Sequence, residues 1–587
     1  GNVKVAKVYL YNFPKSQYGR EISARAYITD GNKTIYSDVV TRSMEYVAKS
    51  YLLDDNVTSE ANKLLAERYV SNAIIDLADY VESGMVTVNE DEIVKQGVKY
   101  ELLNEGRTYI YENDAWSYAS ASLTLSDEEF ITIADFPPKL RDDQGYEGTW
   151  QERLQDYADL GFSTVLLTED DYAILDKKKD ANGNYTDEDV LGELNGAYKI
   201  IIERLISSGL DVWVRNYNNH GDYFSSKELT TNFQEYGKVT GFYMSDEPFT
   251  TNDLAINGNQ PGVAMDSYGG LITWKNEYYP EDFWHINLVP SDSYNHWENG
   301  ADGKDGGYGD YIQYYIDNVL KQLTSGGRTV CLDCYPFRET GKNGVYTDFL
   351  FDLLTAANKT RDYNKTAAEG QKATFGMCVQ TYAFYGGSVK TKQRNIVSAE
   401  EVTFQLYTGM ALGAGMFEYF AYSSDYSVVN GVGKGYDCIT TTGGEHTSLY
   451  NYVKNANDKA LKFSKFINAY EWQGATYSAG TAENENATGF AMVDGLTLSG
   501  SETGRLTAYS SDYDALIGCF KQNGKDGYMV TNFTDPQNKK TTNVELTFEN
   551  CTKAAVYMNG KLVTVGLNSG TTTITLLPGN AAFVMPF

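Results

Sequence analysis

The chain of 587 residues is most informative first in what it lacks. It contains no run of 18 apolar residues, so no segment reads as a membrane-spanning helix. It has no H-E-x-x-H, no phosphate-binding P-loop and no dinucleotide fingerprint, so neither a cofactor nor a metal is expected from motif. Positive charge is short: 49 Lys and Arg stand against 79 Asp and Glu, a net charge of −30. A surface this acidic repels phosphate backbones and anionic lipid, which removes nucleic acid and membrane surfaces as partners. Cysteines number only 6 and are scattered, which is not a disulfide framework. Cys331 and Cys334 match C-x-x-C, but they lie in a strand-like run and read as two buried thiols.

What is abundant is tyrosine, with 48 residues, inside an aromatic content of 14%. Tyrosine joins an apolar face to a polar tip and suits strand-rich cores as well as polar clefts. The length exceeds one ordinary core, and the pattern divides in three. Residues 1–127 form an N-terminal α+β region, with a hairpin turning at Asp30-Gly31-Asn32, helical stretches at 41–52 and 59–82, and strands over 97–112. The hairpin resembles the last one of an immunoglobulin-like module of Gram-positive surface proteins. The chain opens abruptly at Gly1-Asn2-Val3, which reads as a trimmed start. With a signal peptide presumed removed, an extracellular or cell-surface location is expected.

Residues 128–470 alternate short apolar runs with amphipathic segments. The runs are 130–136, 164–168, 211–216, 241–245, 284–289, 329–335, 374–382 and 415–422. Helices are expected at 150–160, 193–207, 309–324, 346–357, 400–412 and 447–469. Eight strands in α/β alternation predict a (β/α)8 TIM barrel, with a doubly wound sheet as the alternative. Residues 471–587 carry short alternating strands and predict a C-terminal β-sandwich. The polar run 180–188 reads as an ordinary loop, because its glycine is misplaced for a calcium loop.

A barrel works at the C-terminal ends of its strands. Read in order, those ends supply Asp135, Asn216, Asp246 and Glu247, then Trp297, Asp333 and Tyr335, then Gln380 and Tyr382, and last Glu418. Carboxylates mixed with Tyr and Trp suit a carbohydrate cleft, in which rings stack on sugar faces and carboxylates bind hydroxyls or cut acetals. Loops at 170–190, 249–272 and 291–308 favour an oligosaccharide or glycan chain as substrate. Neither the sugar, its linkage nor the oligomeric state is fixed by the sequence.

The run Gly241-Phe-Tyr-Met-Ser-Asp246-Glu247-Pro248-Phe249 resembles the strand-four signature of clan A glycoside hydrolases. Leu332-Asp333-Cys334-Tyr335-Pro336-Phe337, Val379-Gln380 and Phe417-Glu418-Tyr419-Phe420 resemble other runs of that broad group. The Asp-Glu-Pro is similar to that of the family 123 N-acetylhexosaminidases. That resemblance implies Glu247 as general acid/base and Asp246 polarising the 2-acetamido group, whose oxygen then acts as nucleophile. Tyr335 or Tyr382 would hydrogen-bond that oxygen. One departure matters: clan A enzymes carry a nucleophilic Glu at the end of strand seven, where this chain has Gln380. Two alternatives therefore stand. One is a two-carboxylate glycosidase pairing Glu247 with Asp333 or, across the barrel mouth, with Glu418. A separation of about 5–5.5 Å would mean retention and about 6.5–9.5 Å inversion. The other is a carbohydrate-binding barrel without catalysis. A purely structural role for the pair, with Asp246 capping a helix and Glu247 bridged to Arg215, is the remaining possibility.

Overall fold

The computed structural model describes residues 125–140, 147–167, 204–215, 239–248, 265–291, 308–337, 344–382, 395–423, 427–429, 432–434, 438–441, 443–481, 498 and 502–587. It also describes short strands at 21–24, 27–29, 34–36, 40–43, 75–76, 99–102, 107–112 and 115–118. The chain divides into two compact units, one of residues 126–549 and 576–584, the other of 1–125, 550–575 and 585–587.

The larger unit holds an eight-stranded parallel barrel. Its strands are β1 (Ile131–Ala134), β2 (Thr164–Leu167), β3 (Asp211–Arg215), β4 (Val239–Asp246), β5 (Phe283–Leu288), β6 (Thr329–Leu332), β7 (Thr374–Gln380) and β8 (Met416–Phe420). They pair in chain order from β2 to β8, and β8 pairs with β1. Ser163 N donates to Thr132 O at 3.1 Å, which brings β1 and β2 together and nearly closes the ring. The strands are buried on both faces, which is why each reads as a continuous apolar run.

The interior is filled from below. Ile133, Leu166, Trp213, Tyr243 and Met416 form one packed layer. Within it Trp213 stacks on Phe283 with centroids 4.8 Å apart. Gly241 makes room for that stack, since a Cβ there would stand 2.6 Å from Trp213 Nε1. The register of β4 against β5 slips between Tyr243 and Ser245. This bulge breaks the period-two alternation just before Asp246.

Helices cover the barrel: α1 (Trp150–Asp159), α2 (Gly269–Tyr278), α3 (Tyr308–Asn318), α4 (Gly344–Asn364), α5 (Ala399–Ala411) and α6 (Ser448–Ala460). Helix α1 starts on a capping box in which Thr149 and Glu152 satisfy each other's backbone N–H groups. Sequence reading placed a loop through residue 272, whereas α2 begins at Gly269. Its two leading glycines have poor helix propensity and hid the start. Of the helix expected at 193–207, the described residues 204–207 are helical.

Beyond the barrel the same unit carries antiparallel strands. Glu471–Ser478, Ala515–Gln522 and Lys525–Asn532 pair in that order, residues 581–584 pair with the last of these, and Leu506–Ser511 pairs with Thr542–Phe548.

In the smaller unit, Tyr27–Thr29 pairs with Thr34–Tyr36 around the expected turn. Val40–Ser43 is a strand paired with Glu21–Ala24, where a helix was expected from 41. Ile75–Asp76 pairs in parallel with Tyr100–Glu101, where the helix 59–82 was expected. In both places β-sheet pairing with a distant segment overrides the local helical spacing.

Candidate active site

Arg215, the last residue of β3, organises the C-terminal end of the barrel. Its side chain is 1% exposed, as is that of Asp135, to which Nη1 donates a hydrogen bond. Nη2 donates to Asp246 Oδ2 at 3.2 Å. The guanidinium also lies 4.4 Å above the Tyr243 ring, a cation–π contact.

Asp246 ends β4 and collects two further donors on Oδ1, the Tyr243 hydroxyl at 3.2 Å and Asn287 Nδ2 at 3.0 Å. Strict alternation would send residues 243 and 246 to opposite faces. The bulge between them turns both inward. Unlike Asp135 and Arg215, the Asp246 side chain is 41% exposed. It is therefore a carboxylate held by three protein donors yet open to solvent.

Glu247 follows with φ at 46°, in the left-handed region, and its N–H donates to Asn287 O at 2.9 Å. A non-glycine residue in that conformation costs about 1–3 kcal/mol and persists only when its surroundings fix it. Asp333, just past β6, has its N–H bonded to Leu288 O at 3.0 Å. Its Oδ1 is buried with no hydrogen-bond partner. Burial, and next the Glu247 charge, push the Asp333 carboxyl well above the ordinary carboxylate range, against a hydrogen bond from Tyr335.

Tyr335 and Tyr382 are nearly buried and meet edge to face at 5.2 Å. Phe420 packs on Tyr382 at 4.8 Å and on Phe136 at 5.7 Å, so an aromatic wall stands beside Asp333. Asn216 and Trp297 lie outside the described residues.

Three expected site residues sit deeper than the sequence suggested. Gln380 is fully buried, and its amide is engaged with backbone: Oε1 accepts from Phe337 N at 3.1 Å, while Nε2 donates to Phe337 O at 3.2 Å and Tyr382 O at 3.3 Å. It ties the end of β7 to the chain beyond β6. Asp135 is sealed behind Arg215, and burial still pushes its carboxyl up against that positive charge. Glu418, expected across the mouth from Glu247, lies inside the barrel at 1% exposure, with Oε2 3.0 Å from His285 Nε2. Burial pushes its carboxyl up, but His285 and Arg215 outweigh burial and the net shift is downward.

Tyr243, His285 and Asn287 were missed as members of the network. The signal for two of them was present: His285 and Asn287 are polar residues two apart in an apolar strand, which places them on one face.

The fold and these residues define a (β/α)8 barrel with a carboxylate-lined mouth at the C-terminal ends of its strands. No family model and no curated protein matches the sequence. Among solved structures, the chain is similar to a family 39 glycoside hydrolase from Bacteroides cellulosilyticus WH2, at 11% identity and TM-score 0.39 over 82% of this chain and 87% of that one. It is similar to a family 5 glycoside hydrolase from Bacteroides vulgatus, at 10% identity and TM-score 0.41 over 82% and 91%. A 4-O-alpha-L-rhamnosyl-beta-D-glucuronidase from Fusarium oxysporum matches at 10% identity and TM-score 0.38 over 79% and 96%. At this distance the likeness carries no argument about activity.

Proposed function

We propose that this barrel is a glycoside hydrolase that cleaves a glycan at a 2-acetamido sugar by substrate-assisted catalysis. Glu247 protonates the glycosidic oxygen as the C1–O bond breaks, while the acetamido oxygen attacks C1 to give an oxazoline. Water then opens that ring at C1, and Glu247 takes back the proton. Asp246 holds the acetamido N–H and offsets the positive charge that develops on the amide.

The observation that carries this reading is the environment of Asp246. A carboxylate has about four acceptor positions. Three are filled by Arg215, Tyr243 and Asn287. The side chain is still 41% exposed, so a remaining acceptor position has access to the cleft. A fixed acceptor beside an acid is what orienting an amide N–H requires. Gln380 needs no catalytic role in this scheme.

Asp333 favours a second reading. Its buried, unpartnered Oδ1 is a poor outcome for a purely structural carboxyl. In a two-carboxylate mechanism Asp333 would be the partner of Glu247.

Matched aryl glycosides, 2-acetamido against 2-hydroxy, separate the two, with Glu247→Gln as control. Turnover confined to the 2-acetamido series supports substrate assistance. Equal turnover of the 2-hydroxy series overturns it in favour of Asp333. Affinity for glycans with no turnover in either series overturns both and leaves a binding barrel.

A further inference from the structure

Beneath the mouth, four side chains from four consecutive strands converge: His285 on β5, Cys331 on β6, Cys378 on β7 and Glu418 on β8. All four are buried. One oxygen, Glu418 Oε2, has His285 Nε2 at 3.0 Å, Cys378 Sγ at 3.5 Å and Cys331 Sγ at 3.9 Å. The His285, Cys331 and Glu418 donor atoms all lie within 4.8 Å of one another, while Cys378 joins the group through Glu418 and also donates to Asn287 Oδ1 at 3.4 Å, a bond it gives up on binding a metal. The twin oxygen, Oε1, is buried with no hydrogen-bond partner. A carboxylate ordinarily spreads its hydrogen bonds over both oxygens. The Tyr243 hydroxyl is a further hydrogen-bonding neighbour of the carboxylate, and the three atoms gathered on Oε2 stand as ligands do around a common centre.

We propose that His285, Cys331, Cys378 and Glu418 form a closed, four-coordinate zinc site inside the barrel. Two thiolates, an imidazole and a carboxylate are a donor set that zinc accepts. Bonds of about 2.0–2.3 Å in a tetrahedron put neighbouring ligand atoms on the order of 3.3–3.8 Å apart. The separations around Oε2 already approach that spacing. The second shell is present as well. His285 Nδ1 lies 2.8 Å from Thr329 Oγ1, and donating Nδ1–H there leaves the Nε2 lone pair for the metal. With no open position the site is structural. It ties β5 to β8, the strands that deliver Asn287 and Asp333. Loading zinc displaces one proton from each thiol and leaves the cluster with one net negative charge, close to the Arg215 guanidinium.

The test is metal content of the full chain produced in zinc-supplemented medium, with the chain refolded in cobalt(II) as a spectroscopic probe. About one zinc per chain and a thiolate-to-cobalt charge-transfer band are expected. Both should be lost in Cys331→Ser/Cys378→Ser and kept in Cys519→Ser, whose buried thiol lies outside the cluster. Should the double variant fail to fold, the wild-type cobalt band still decides, because surface carboxylates give none. Zinc-grown protein without metal and without the band overturns the site. Metal that survives in the folded double variant is an adventitious ion only, and overturns it too.

Discussion

Arg215→Met is the sharpest perturbation of this barrel. The substitution leaves the Asp135 carboxylate at 1% exposure without its counter-charge. Breaking a buried pair from one side costs about 3–5 kcal/mol. The cation–π contact with Tyr243, at 4.4 Å, adds about 1 kcal/mol. The bond to Asp246 adds little to stability, because that side chain is 41% exposed. Methionine fills most of the volume, so no large cavity term is added. The sum is about 4–6 kcal/mol. At about 2 °C per kcal/mol for a large domain, the barrel transition in a calorimeter should fall by about 8–12 °C. Asp135 can relieve the cost by taking up a proton, since burial already raises its carboxyl. A carboxyl raised on folding contributes stability that is full below its unfolded pKa and lost as pH rises through its folded value. The deficit of Arg215→Met should therefore grow from acid toward neutral pH. Adding Asp135→Asn removes the stranded charge, so the double variant should recover part of the loss. A single variant within about 1 °C of wild type, or a double variant less stable than the single, would refute the account. Asp246 also loses one of its three donors, so turnover should fall by about 10²-fold even where the protein is folded.

Glu247→Gln should cost about 10²–10⁴-fold in turnover while the melting temperature changes little, read by matched kinetics and calorimetry. Gln380→Glu should create no nucleophile. It sets a carboxylate against the Phe337 and Tyr382 carbonyls now 3.2 and 3.3 Å from the amide nitrogen, and should destabilise the barrel by about 3–5 kcal/mol in a denaturant midpoint assay. Asp282 is pushed up to about 6, chiefly by burial, with Glu281 adding and Lys275 opposing. Its contribution is lost as pH rises through that value, so Asp282→Asn should raise the melting temperature more above about pH 7 than below about pH 5.

The eight strands were legible because parallel barrel strands, buried on both faces, must be apolar throughout. Six of the eight expected runs contain their strand; β4 begins two residues before its run and ends one after, and β5 begins one before. The depth of a side chain was not legible in the same way. Glu418 and Gln380 both stand near strand ends, yet register decides what they meet. Glu418 aligns with Cys378 and Ile133, one layer below the mouth, and faces His285. Gln380 shares the inward parity of Cys378, but its amide is consumed by backbone across the β6–β7 gap. Parity itself failed at β4, where the bulge places Tyr243 and Asp246 on one side. Neither a bulge nor a hydrogen-bond partner forty or more residues away leaves a local trace in composition or spacing.

One regularity joins these observations. Among the described residues, Phe136 and Glu247 both adopt left-handed backbone, with φ at 51° and 46°. Each directly follows an aspartate, Asp135 or Asp246, that Arg215 holds. Strand ends free to relax would not both retain a conformation costing about 1–3 kcal/mol. The guanidinium clamp fixes the two aspartates, and the chain must turn sharply just after each. At β4 the last strand residue, Asp246, takes three donors, and the chain turns at the very next residue, where the Glu247 N–H bonds Asn287 O.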